Sequence, residues 1–196
     1  MDGRPTLLLD VMGTLVHDPI HDAIPGFFGT SLEALVPQLR AGLWVDFELG
    51  RIDEATLLTR FFRDDRAFDH GAFLERLRAA YRWLDGVEAL LTELQRRGTP
   101  MHVLSNYPVW WRMIEERLGL SRYLPWTFVS CRTGVRKPAP EAYLGAARGL
   151  GIAPDRCLLV DDREGNCEAA WAVGMPAVHR TTLAALRSDL EAHGLL

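Results

Sequence analysis

Five short apolar runs recur along the chain, at Thr6–Val11, His102–Ser105, Trp126–Ser130, Cys157–Asp161 and Ala177–His179. Each has the length of a buried strand. Between and after them, at Val87–Arg97, Trp110–Leu118, Pro140–Leu150, Asn166–Val173 and Leu183–His193, apolar residues return three and four positions apart, the period of a helix with one buried face. Gly98, Gly119, Gly151 and Gly174 follow four of these segments and mark their ends. Strands alternating with helices predict an α/β fold, a Rossmann-like parallel sheet with helices on both faces.

One long stretch breaks the alternation. From about Asp22 to Trp83 the period is helical at Ser31–Leu35, Pro37–Leu49, Asp53–Phe62 and Gly71–Tyr81, with no strand pattern. Ser31 and Asp53 stand where an N-cap oxygen is needed, and Glu54 adds a charge to the opening turn. The expected organisation is a core made of residues 1–18 and 85–196, with a helical insertion, residues 19–84, after the first strand.

Composition narrows the class. With 196 residues and 48% hydrophobic content the chain can bury a core without disulfides. The 22 basic and 26 acidic side chains leave a net charge of −4 and no basic stripe, so nucleic acid is not an expected partner. No apolar run reaches the ~18 residues of a membrane span. The opening MDGRPTLLLD meets an aspartate where a signal peptide would stay apolar, so a soluble, unexported protein is expected. The odd set Cys131, Cys157 and Cys167 reads as free thiols in a reducing, cytoplasmic setting.

The candidate chemistry lies at the carboxyl ends of the strands, where open α/β sheets bind their ligands. The first run stops at Asp10 and turns through Met12-Gly13-Thr14, the second ends at Ser105-Asn106, and Gly134-Val135-Arg136-Lys137-Pro138 follows the third. The fourth ends at Asp161-Asp162 with Asn166 close behind. Two adjacent carboxylates at the end of an apolar strand repel each other unless a cation or hydrogen bonds compensate. Each element alone fits an ordinary turn. Nucleophile, hydroxyl, lysine and acid pair in that order, each at a different strand end, form a far more specific pattern.

On these motifs, which span nearly the whole chain, the sequence resembles the haloacid dehalogenase superfamily. Val160-Asp161-Asp162-Arg163 with Asn166, Ala169 and Ala170, then Gly174-Met175, has the form of its subfamily with a helical cap. Asp10-Val11-Met12, Pro25-x-Phe27-Phe28-Gly29, Trp44-x-x-Phe47-Glu48 and Ser105-Asn106-Tyr107-Pro108 are similar to the flavin mononucleotide (FMN) hydrolases of plant chloroplasts and their bacterial relatives.

The resemblance implies a magnesium-dependent phosphatase in which Asp10 attacks phosphorus and forms an aspartyl phosphate. It implies Mg2+ held by Asp10, the Met12 carbonyl and Asp162, with Asp161 reaching the ion through water or orienting a ligand. Lys137 would bridge Asp10 and a phosphate oxygen, and Ser105 would hold another, with Thr14 and Asn106 also on the substrate side. The substrate would be a small phosphorylated metabolite, FMN among the candidates, and monomer and homodimer are both compatible with the sequence.

One departure matters. Phosphatases of this family usually carry a second aspartate two residues after the nucleophile as general acid and base, and this chain has Met12 there. His17, Asp18 and His21, just downstream, are the candidate substitutes. Tyr107, Trp110, Trp111, Trp44 and Phe47 are candidates to stack on a flat ring. Two alternatives follow: a haloacid dehalogenase-type hydrolase, which needs no metal and against which the acid pair argues, or a catalytically impaired protein that only binds a phosphate ligand.

Overall fold

The computed structural model describes residues 4–196. Five strands, β1 (Thr6–Leu9), β2 (Met101–Ser105), β3 (Phe128–Val129), β4 (Cys157–Asp161) and β5 (Ala177–His179), form one parallel sheet in the order β3-β2-β1-β4-β5. The most apolar strand lies in the middle, with Leu7 opposite both Met101 and Leu158. Its side chains alternate between faces. Leu8 packs with Leu104, Leu159, Tyr143 and Ala146 on one side, while Leu7 and Leu9 join Val103, Leu90 and Leu186 on the other.

The insertion carries α1 (Ala23–Phe27), α2 (Leu32–Leu35), α3 (Leu43–Glu48), α4 (Glu54–Thr59) and α5 (His70–Ala80). The remainder supplies α6 (Val87–Arg96), α7 (Trp111–Leu118), α8 (Ser130–Thr133), α9 (Pro140–Leu150), α10 (Glu164–Ala172) and α11 (Leu183–Ala192). The expected caps are present: Ser31 accepts from the Ala34 N–H at 3.2 Å and Asp53 from the Thr56 N–H at 2.8 Å.

Three expected elements differ. The first strand ends at Leu9, two residues short of Val11, although the Asp10 N–H still donates to the Val160 carbonyl at 2.9 Å. The third shrinks from Trp126–Ser130 to Phe128–Val129, because the apolar ring of Trp126 is buried against Trp111 at 5.3 Å and Ser130 opens α8. The segment Pro37–Leu49 is not one helix: Leu39 is extended and pairs with Phe62, and Gly42 takes a left-handed φ of 79° before α3 begins. Helix α1 was not anticipated from the pattern.

The insertion leaves and re-enters the core along two adjacent backbones, with the His17 N–H donating to the Arg82 carbonyl at 2.9 Å and the Leu84 N–H to Leu15 at 3.0 Å. Its interior is a phenylalanine cluster in which Phe28 lies within 5.8 Å, centroid to centroid, of Phe61, Phe62, Phe68 and Phe73. The Ser130 hydroxyl joins the two parts, donating to the Glu48 carbonyl at 2.6 Å and accepting from the Tyr107 N–H at 3.0 Å.

Candidate active site

Lys137 is the centre of the site. It is 1% exposed, and its ammonium donates to Asp10 Oδ1 at 2.9 Å, to Asp161 Oδ2 at 2.5 Å and to the Leu104 carbonyl at 2.7 Å. An isolated buried ammonium would be costly, and two carboxylates answer it. Burial disfavours the lysine's charge, but Asp10 and Asp161 outweigh it and hold Lys137 above its ordinary value. Asp10 moves up, chiefly through burial, with Lys137 opposing and Asp161 adding to the rise. Asn106 fixes the backbone that presents the lysine: its amide donates to the Lys137 carbonyl at 2.8 Å and accepts from the Lys137 N–H at 2.8 Å.

Asp161 and Asp162 stand in different environments. Both oxygens of Asp161 accept from Asn166 Nδ2 at 3.0 Å, and Oδ1 also accepts from the Arg163 N–H at 2.9 Å. No hydrogen bond from another described residue ends on the half-buried Asp162 carboxylate. Burial and the neighbouring Asp161 raise its carboxyl. Asp10, Asp161 and Asp162 each bring one oxygen to within 4.8 Å of the others. Gly13 makes this packing possible, since a Cβ there would lie 2.4 Å from Asp162 Oδ2, on a backbone with φ of 75°. Gly13→Ala is therefore expected to cost at least the ~1–2 kcal/mol of a left-handed non-glycine residue, read as a lower melting temperature, and to displace Asp162.

The hydroxyls of Thr14 and Ser105 are buried with no hydrogen-bond partner among the described residues. Such groups are rare unless a ligand or water completes them. No hydrogen bond among the described residues ends on the Met12 carbonyl, and Met12, 8% exposed, lines the same cleft as Asp10.

A family model for haloacid dehalogenase-like hydrolases matches residues 5–174. The chain belongs to that family. It is 41% identical over 191 residues to flavin mononucleotide hydrolase 1, a chloroplastic protein of Arabidopsis thaliana, covering 97% of this chain and 78% of that one. It is 30% identical over 184 residues to a phosphoglycolate phosphatase of Xylella fastidiosa, covering 88% and 78%. A family enzyme from Bacteroides thetaiotaomicron, solved with magnesium and inorganic phosphate, superposes with a TM-score of 0.74 at 20% identity, over 93% of this chain and 98% of that one, which shows the shared fold.

In this haloacid dehalogenase-like hydrolase the cleft beside Asp10 is lined by Met12, Asp18, Trp44, Glu48, Asn106, Tyr107, Arg136, Lys137, Arg163 and Asn166. Of the three expected proton carriers only Asp18 is among them. His17 is held by the Asp22 carboxylate at 2.9 Å, and His21 is exposed. Of the five aromatics, Trp44 and Tyr107 border the cleft. Phe47 and Trp110 are instead core, 5.0 Å apart and each 1% exposed, and Trp111 packs on Trp126 with the rings tilted by 40°.

Glu48, Arg136 and Arg163 stand in the motifs of the sequence but receive no role from it. Glu48 accepts from Trp44 Nε1 at 2.7 Å and lies 2.9 Å from Arg136 Nη2. Arg136 adjoins Lys137, and Arg163 adjoins Asp162, so proximity to the motifs was the available signal.

Proposed function

We propose that the protein is a magnesium-dependent phosphomonoester hydrolase working through an aspartyl phosphate on a small phosphorylated metabolite, with FMN the first candidate. The observation that carries the reading is one buried lysine holding Asp10 beside Asp161, with a further carboxylate, Asp162, in reach of both. Three carboxylates against one ammonium suit a divalent cation. Asp10, Asp162 and the Met12 carbonyl would hold it, while Asp161, its oxygens already engaged, orients Lys137 and the α10 start. Bound there, magnesium offsets repulsion between the carboxylates and the anionic substrate. The acid pair speaks against a metal-free dehalogenase.

In this reading Asp10 attacks phosphorus with the oxygen turned to the cleft, and Lys137 keeps it ionised and aligned. Any bond from Lys137 to a phosphate oxygen replaces one of its three present acceptors. The orphan hydroxyl of Ser105, which lines a separate cavity with Phe128 and Ala142, would have to turn toward the cleft to meet a phosphate, Thr14 stays buried outside the cleft lining, and Asn106 acts through the Lys137 backbone. Residues 19–84 act as the cap that covers the cleft and excludes water. An apolar cavity inside the insertion, lined by Ile24, Leu35, Leu39 and Leu43, shares Ile20 and Trp44 with the cleft, which suits a substrate with a flat apolar part. FMN has one, and the Arabidopsis relative is named for it. The three free cysteines suit a reducing compartment, and we assign the cytoplasm.

The test is phosphate release from FMN, sugar phosphates and p-nitrophenyl phosphate with magnesium, and again after chelation. The expected result is release that stops with chelator and returns with added Mg2+, with FMN cleaved faster than the sugar phosphates. No release from any ester in magnesium would sink the reading.

A further inference from the structure

Cleavage of an alkyl phosphate needs a proton for the departing alkoxide, and Met12 has none to give. Besides Asp10, the cleft wall carries two carboxylates, Asp18 and Glu48. Burial raises both carboxyls, so their partners decide between them. Glu48 accepts from Trp44 with Oε1, and its Oε2, though in no hydrogen bond among the described residues, is ion-paired with Arg136 Nη2 at 2.9 Å, which favours the charged form over the proton that a general acid must carry. Asp18 uses one oxygen to cap the short turn Pro19–His21, accepting from the Ile20 N–H at 3.0 Å, and no hydrogen bond among the described residues ends on the other.

We propose that Asp18 is the general acid and base of this hydrolase, taking the place left by Met12. The inference rests on the phosphatase reading above. The charged and titratable groups whose fields reach Asp18 are Arg163 at the start of α10, His17 and His21 of its own segment, and the phenols of Tyr81 and Tyr107, hydrogen-bonded to each other at 2.7 Å. Glu48 and Arg136 line the same cleft.

The two half-reactions balance. As an Asp10 oxygen bonds to phosphorus and the ester P–O bond breaks, the Asp18 carboxyl gives its proton to the leaving oxygen, so the alcohol departs and Asp18 becomes a carboxylate. That carboxylate then takes a proton from the water attacking phosphorus. The bond between phosphorus and Asp10 breaks, phosphate leaves, and Asp18 is protonated again.

The experiment compares wild type with Asp18→Asn on p-nitrophenyl phosphate and on an alkyl phosphate that the wild type turns over. An alkoxide needs the proton and a nitrophenolate does not. Asp18→Asn is expected to slow the first step on the alkyl ester by ~10² to 10⁴-fold, within the range of general acid catalysis, and on the aryl ester by under ~10-fold. Without the base the phosphoenzyme accumulates, so the variant should release a burst of one equivalent of nitrophenolate. The amide still accepts from the Ile20 N–H; should it melt early, Asp18→Ser, which can also cap the turn, replaces it. Unchanged turnover on both esters, or an equal loss on both without a burst, overturns the assignment. If Asp10→Asn is dead while Asp18→Asn works normally, the phosphatase reading stands and this inference alone fails. A wild type inert toward every ester overturns both.

Discussion

Asp10→Asn is expected to release no phosphate above background from any ester, while melting no lower than the wild type. The amide keeps the size of the carboxyl but is not a nucleophile, and it brings no charge to a cation. Stability should survive because burial already works against the charge at this position, raising the Asp10 carboxyl above its ordinary value. Lys137 keeps Asp161 at 2.5 Å and the Leu104 carbonyl at 2.7 Å, so its ammonium is not left alone. Assay and thermal melting on the same metal-free and magnesium-loaded samples check both halves. Wild-type turnover by this variant would rule out aspartyl-phosphate chemistry.

Lys137→Met is expected to have the largest effect on folding. The side chain is replaced by one of similar length, but Asp10 and Asp161 lose the cation that both touch, in a place where Asp161 has no solvent exposure. Removing one partner of a buried ion pair commonly costs ~3–5 kcal/mol. For a chain of this size that corresponds to roughly 6–20 °C in melting temperature.

The pH dependence has a definite sign. Without the lysine, the Asp10 carboxyl, already raised by burial, loses the cation that opposed the rise and moves further up, so the penalty applies at neutral pH and above. As pH falls Asp10 takes up a proton in the folded state, and the gap between variant and wild type narrows. Adding Asp10→Asn to Lys137→Met should recover part of the loss, because one of the two stranded charges is gone. Denaturation at mildly acidic and mildly alkaline pH measures this, and a gap that widens toward acid would contradict it.

Much of the site was legible before the fold because its chemistry sits where a periodic pattern stops. Asp10 and Asp161–Asp162 follow apolar runs at the ends of β1 and β4, and Ser105 ends β2, so the parallel register alone brings them to one edge. Asp18 was legible as a polar residue near the cleft, but nothing in its local sequence distinguished it from His17 or His21. That distinction depends on Asp22 capturing His17, a contact between side chains whose orientation the backbone decides.

The sequence by itself determined the alternation of strands and helices, the apolar central strand, the helical insertion and the four strand-end motifs, because each follows from a backbone period or a local turn preference. Only the tertiary structure decided which aromatics face the cleft. Phe47 follows Trp44 by three positions on α3, yet Phe47 packs on Trp110 in the seam between insertion and core while Trp44 also borders the cleft. It also decided that Glu48 meets Arg136, that Asn106 holds the backbone of Lys137, and that Pro37–Leu49 breaks at Gly42 to let Leu39 pair with Phe62. These are encounters between residues far apart along the chain. Local periodicity says which face of an element is buried, and only packing says against what.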